Sequence, residues 1–183
     1  RDESIFYMGE DVGAYGGIFS STTGLLEKMN RIHEVDALAY TLHVEAGAVT
    51  QAVHDACRPH GLTWPIDLAA KGSSQIGGNI ATNAGGIRVI RHGNTREWIA
   101  GLTVVTGAGD LLELNRGLLK NSSGYDLRHL LIGSEGTLGI VVEAILRLTD
   151  PAPPTNVMLL ALPSFEVLMQ VFAAFRERLQ LQA

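Results

Sequence analysis

The chain has 183 residues, of which 46% are hydrophobic and 18% charged, enough for one globular domain or a domain and a fraction. Its net charge of −5, without clustered Lys and Arg, argues against a nucleic-acid-binding surface. No apolar run approaches the roughly 20 residues of a membrane-spanning helix. The single cysteine, Cys57, cannot form an internal disulfide and fits a reducing compartment.

In chain order, residues 40–46 alternate and predict a strand that ends near Gly47. Thr50 is placed to cap a helix carrying Val53, Ala56 and Cys57, which stops before Pro59 and Gly61. A glycine-rich segment, residues 72–86, follows Trp64-Pro-Ile-Asp67. Residues 102–106 are a β-branched run, 108–110 (Ala-Gly-Asp) a turn and 111–114 a second strand, together a hairpin. Asp126 predicts a cap for a short helix over 127–131. Residues 139–148 are the longest strand candidate. Pro151, Pro153 and Pro154 break the pattern and mark a boundary. Residues 157–162 read as another strand. Ser164 then caps a helix with Val167, Leu168, Val171, Phe172 and Phe175 on its apolar face. Strands are expected to outnumber helices, and the fold class is α+β.

Five of the fifteen residues from Gly72 to Gly86 are glycine. Such a segment lets backbone N–H groups approach a ligand, and a run of them forms an anion-binding concavity. Ser73, Ser74, Asn79, Thr82 and Asn83 add short polar side chains. The segment reads as a wall for a large phosphate-bearing cofactor, with a flexible surface loop as the competing reading. Ile76, Ile80 and Ala81 weigh against the loop, since a solvated linker has little use for apolar residues.

Other cofactor and catalytic patterns are missing. Neither 72–86 nor 133–139 has Gly-x-Gly-x-x-Gly spacing, and no Walker-type Gly-Lys-Ser/Thr is present. Among the six histidines only His54 and His60 sit near metal-ligand spacing, and they read as surface residues. No Gly-x-Ser-x-Gly elbow appears. No nucleophile, base and oxyanion hole come together, so no catalytic residue and no metal ligand is assigned. The expected role is to hold a cofactor that carries the chemistry itself.

Residues 65–86 (Pro-Ile-Asp-Leu-Ala-Ala-Lys-Gly-Ser-Ser-Gln-Ile-Gly-Gly-Asn-Ile-Ala-Thr-Asn-Ala-Gly-Gly) resemble the second flavin-binding segment of FAD-linked 2-hydroxyacid dehydrogenases, flavoproteins of the vanillyl-alcohol-oxidase type. The resemblance continues through residues 102–105, Asn121-Ser-Ser-Gly-Tyr-Asp-Leu127 and Ile132-Gly-Ser-Glu-Gly-Thr-Leu-Gly-Ile140, and covers residues 29–183. One departure is the extra residue between Asn121 and Gly124. It implies an α+β fold: a partial PCMH-type FAD-binding domain over 29–150, its N-terminal subdomain incomplete, then the start of a substrate domain over 151–183. It implies that Gly72, Ser73, Ser74, Ile76, Gly77, Gly78, Asn79, Thr82, Asn83, Gly85 and Gly86, with Pro65 and Asp67 ahead of them, line the pyrophosphate and isoalloxazine of FAD. Glu135, Gly139 and Ile140 then close over the flavin or its adenine end.

Residues 1–28 differ from that pattern. The family's consecutive-glycine loop is replaced by a stretch containing Gly9-Glu-Asp-Val12, which resembles the β subunit of thiamine-diphosphate-dependent 2-oxoacid or acetoin dehydrogenases. A junction between two families is therefore expected near Lys28–Met29. The flavin resemblance implies oxidation of a D-2-hydroxy acid of the 2-hydroxyglutarate, lactate or glycolate class, with electrons passed on to an acceptor. Local phrasing such as Ala70-Lys-Gly-Ser73 favours 2-hydroxyglutarate. The family's catalytic residues belong to the substrate domain beyond Pro151. A non-catalytic chimeric fragment is the competing reading, and a thiamine-dependent subunit a third. The expected location is the cytoplasm, or the mitochondrial matrix in a eukaryote.

Overall fold

Five strands form one sheet: β1 (Ile32–Asp36), β2 (Thr41–Glu45), β3 (Ile99–Val105), β4 (Leu111–Leu114) and β5 (Ile140–Arg147). The computed structural model describes residues 29–118, 120–153 and 158–178. Strand order is β1-β2-β5-β3-β4, and all neighbours are antiparallel. β5 comes last in sequence but lies in the middle, pairing Leu146 with Leu42 of β2 and Ala144 with Leu102 of β3. The two-residue period of a strand puts Leu42, Val44, Leu102, Val104, Ala144 and Leu146 on one buried face. The other face is polar. There His43 Nε2 lies 3.2 Å from Glu143 Oε2, and the His43 ring stacks on His33 with centroids 4.5 Å apart.

Helices cover the apolar face. α1 (Thr50–Cys57) sends Val53 and Cys57 into the core, and α2 (Ile76–Ala81) sends Ile76 and Ile80. Trp64 and Ile66 fill the space between elements, both fully buried. Burying a side chain such as Ile66 or Ile80 stabilises the fold by about 2 kcal/mol. Further along are α3 (Val89–His92), the 3-10 turn Thr95–Trp98, α4 (Leu127–Leu131) and α5 (Phe165–Arg178).

The predicted hairpin is β3 and β4, with the turn closed by a bond from Thr106 N–H to Asp110 O at 2.9 Å. Asp126 caps α4 as expected, its Oδ1 accepting from Arg128 N–H at 3.1 Å. Three expectations need correction, and one strand lies outside them. Val49, not Thr50, is the N-cap of α1, because the Thr50 hydroxyl turns to Ser74 O at 3.0 Å. β1 went unpredicted because a register shift between Ile32 and Val35 breaks its alternation. Residues 158–162 form no strand: Met158, Leu159 and Leu160 are exposed with no neighbouring strand to pair with. The glycine-rich segment contains a helix, so strands do not outnumber helices among the described residues. Helix α5 forms, with Ser164 Oγ 3.4 Å from Val167 N, but none of its residues is buried.

Candidate cofactor-binding site

The segment 72–86 is built around α2, and its N-terminal end is stitched to the β2–α1 connection. Thr50 N–H donates to Ser74 O at 2.9 Å, Ile76 N–H to Ala48 O at 3.0 Å and Gly77 N–H to Ala46 O at 2.7 Å. A buried polar triad reinforces the seam: Thr50 Oγ1 lies 2.9 Å from Ser74 Oγ and accepts from Asn79 Nδ2 at 2.8 Å. Polar groups this deep need partners, and these have them. The expected N–H cradle is therefore only partly available. The N–H groups of Ser73, Ser74, Ile76, Gly77, Asn79, Thr82 and Asn83 all donate to protein carbonyls. Those of Gly72, Gly78, Gly85 and Gly86 meet no acceptor among the described residues. In the same segment Gln75, 4% exposed, has an Nε2 without a hydrogen-bond partner among the described residues. A buried amide left in that state costs about 1–3 kcal/mol unless something accepts from it. These unpaired donors, spread along the segment from Gly72 to Gly86, suit an acceptor-rich ligand.

The second glycine-rich motif, 133–140, docks on the opposite end of the same helix. Gly133 N–H donates to Ile80 O at 3.0 Å and Glu135 N–H to Ala81 O at 2.9 Å, satisfying carbonyls that a helix end leaves open. Gly133 and Gly136 have φ of +84° and +77°, and Glu135 itself sits at +52°. The Glu135 side chain is exposed. Gly139 lies against β3, where a Cβ would fall 2.7 Å from Val104 Cγ1. Ile140 is half-buried and pairs with Val105. Two motifs distant in sequence thus meet on one short helix.

The remaining predicted residues frame this junction. Gly72 and Thr82 are exposed, and Thr82 Oγ1 donates back to Gly78 O at 3.0 Å. Ser73 Oγ turns to Ala70 O at 3.3 Å. Asn83, at φ +51°, accepts the Arg96 N–H on Oδ1 at 3.0 Å. Gly85 lies where a Cβ would come 2.6 Å from Asn94 Oδ1. Pro65 is buried. The Asp67 carboxylate faces Lys71 at 2.8 Å and Arg88 at 3.5 Å, so its charge is used in bracing the segment. Gly86, at φ +81°, passes so close that a Cβ would lie 2.3 Å from Asp67 O.

Titratable groups nearby follow the same division. Burial lowers the His54 pKa from its ordinary value, with its Nε2 3.0 Å from Ile66 O. Burial pushes the Cys57 thiol up to about 11, which leaves it unreactive. Among the described residues no group of three His, Cys, Asp or Glu could hold a metal ion. The residues that sequence reasoning missed are Gln75, Thr95 and Arg96. A usable signal was Asn94-Thr-Arg-Glu97, whose ends form a capping box around the Thr95–Trp98 turn.

A five-stranded antiparallel sheet, covered by α1 and α2 and bearing two glycine-rich motifs at one helix, is the architecture that carries the family assignment. The chain belongs to the FAD binding domain family, whose model matches residues 8–115, and FAD is the cofactor of this domain. It is 66% identical over 178 residues to D-2-hydroxyglutarate dehydrogenase of Xanthomonas citri pv. viticola, a match covering 96% of this chain and 38% of that protein. It is 40% identical over 186 residues to the mitochondrial D-2-hydroxyglutarate dehydrogenase of Bos taurus, covering 98% and 34%. Among solved structures it is similar to alkyldihydroxyacetonephosphate synthase, at 28% identity and a TM-score of 0.58 over 67% of this chain and 22% of that one. The chain therefore spans between about a fifth and two fifths of the length of these relatives. The family match takes in Lys28–Met29, so it lends nothing to the thiamine-dependent reading of residues 1–28, which lie outside the described residues.

Proposed function

We propose that this chain is the flavin-holding part of an oxidoreductase that oxidises a D-2-hydroxy acid, with 2-hydroxyglutarate the favoured substrate. The observation that carries this is the meeting of residues 76–83 and 133–135 on α2, inside a chain 66% identical to a protein named for that activity. When bound, FAD supplies an acceptor for the hydride that leaves the substrate Cα–H. Our reading gives this chain's own residues the task of binding and orientation. Gly72, Ser73, Gly78, Thr82, Asn83, Gly85 and Gly86 form one wall, and the Gln75 amide and free glycine N–H groups face acceptor atoms of the cofactor. Ser74, Ile76, Gly77 and Asn79 set the position of that wall through the Thr50 seam, with Pro65 and Asp67 behind it. Glu135, Gly139 and Ile140 form the facing side.

We assign residues 8–28 to this same domain, since the family match begins at residue 8. Residues 151–183 read as the start of a substrate domain, a reading supported by the unburied apolar residues of α5. Among the described residues no helix is long and apolar enough to cross a membrane. We place the protein in the cytoplasm, or in the mitochondrial matrix of a eukaryote, as the name of the cattle relative supports.

The test has two parts. The chain is purified with added FAD, dialysed, and scanned for the flavin absorbance band; a retained band supports the binding role and its absence ends it. The natural full-length protein is then assayed for dye reduction with D-2-hydroxyglutarate, D-lactate and glycolate. A preference for D-2-hydroxyglutarate is expected, and reduction by none of the three overturns the substrate class.

A further inference from the structure

Arg96 closes a ring of hydrogen bonds around the two glycine-rich motifs. It sits in the Thr95–Trp98 turn, which is tied to the end of segment 72–86 by three bonds. Thr95 N–H and Thr95 Oγ1 both donate to Ala84 O, at 2.9 and 2.7 Å, and Arg96 N–H donates to Asn83 Oδ1 at 3.0 Å. From there the guanidinium reaches across to the end of α4, donating from one nitrogen to His129 O and from the other to Ile132 O. Ile132 leads directly into Gly133, whose N–H returns to Ile80 O on α2. The circuit runs α2, Asn83, Arg96, Ile132, Gly133 and back to α2.

Its chemistry suits a fixed clamp. Among the described residues no carboxylate pairs with the Arg96 guanidinium, so its charge is directed at carbonyl oxygens at a helix C-terminal end, where cations are favoured. The planar fork holds two acceptors at once, which a lysine ammonium on a flexible stem does not reproduce. The approach is close: a Cβ on Gly133 would stand 3.3 Å from Arg96 Nη2 and 3.3 Å from Asn83 Cβ. Gly133 adopts a positive φ that glycine tolerates, and a side chain there would press on Arg96 and Asn83.

We propose that Arg96 is a positioning residue that locks the 133–135 turn onto α2 and so sets the spacing between the two flavin-lining segments. The functional half of this rests on the cofactor placement proposed above; the clamp itself does not. In this proposal Arg96 acts through Asn83, Gly133 and Glu135, not on the reacting atoms.

The experiment compares wild type with Arg96→Lys and Arg96→Ala, the lysine variant keeping the charge in case the alanine variant fails to fold. Amide hydrogen exchange is measured on the chain without flavin, and FAD affinity by titration. Protection at Gly133 and Glu135 is expected to fall about tenfold or more, the loss of a charge-assisted hydrogen bond, while Val44 and Ala144 in the sheet keep theirs. FAD affinity is expected to fall by about the same factor in both variants. Unchanged protection at Gly133 and Glu135 overturns the clamp. Lost protection with unchanged FAD affinity overturns its positioning role. A wild-type chain that binds no FAD overturns the cofactor placement instead, and the exchange data still decide the clamp.

Discussion

Segments 72–86 and 133–139 look alike in composition and serve opposite ends in the fold. In the first, Ile76 to Ile80 are buried and most N–H groups are taken up by protein carbonyls. Its later glycines are there because neighbours leave no room: a Cβ on Gly86 would strike Asp67 O. In the second, Gly133 and Gly136 take left-handed backbone in an exposed turn, and Gly136 meets nothing within 4 Å. The difference comes from the residues between the glycines. Ile76 and Ile80, four apart, fall on one helical face and turn it toward the sheet, whereas Ser134-Glu-Gly-Thr137 offers no apolar pair. Glycine enrichment alone does not separate a packed helix from a turn.

Substitutions sharpen that contrast. Gly86→Ala is expected to cost about 4 kcal/mol in urea unfolding, combining a left-handed backbone with overlap against a main-chain oxygen. Ile80→Ala should cost about 3 kcal/mol, since the emptied site lies under the sheet and has little room to collapse. Thr50→Val should cost about 2 kcal/mol by leaving the buried Asn79 amide without its acceptor. Gly136→Ala, with open space around it, should cost only about 1 kcal/mol from its positive φ. Similar losses for Gly86→Ala and Gly136→Ala would erase the distinction between the two segments.

The smallest expected effect is on pH dependence. Burial holds the His54 imidazole neutral, with its pKa below the ordinary 6.5, although Asp67 pulls the other way. The unfolded chain takes up that proton more readily, so this contribution is complete above about 6.5 and is lost as pH falls below it. His54→Gln should flatten the acid limb of a stability curve; an unchanged limb would remove His54 from the packed side of the contrast.

Local signals carried the parts of the fold that local chemistry decides. The Ala108-Gly-Asp110 turn marked the hairpin, and Asp126 marked α4. Non-local competition hid the rest. Thr50 had the residue type of a cap, but Ser74, 24 residues away, claimed its hydroxyl. The bulge in β1 concealed its period, and glycine concealed α2. α5 was readable as a helix, because its own spacing sets that, but no residue within it says what it packs against. The candidate site was readable as two segments through family resemblance. Their joining was not, because Arg96 reaches its acceptor carbonyl on Ile132 across 36 positions, and no spacing rule links them.

Placement of FAD between these segments is tested most directly by titrating the chain with FAD while following backbone amides by NMR. Saturable shifts are expected at Gly78, Asn83, Gly133 and Glu135, with the β3–β4 hairpin turn unmoved. No saturable shift, or shifts confined to the polar sheet face around His43 and Glu143, would contradict it.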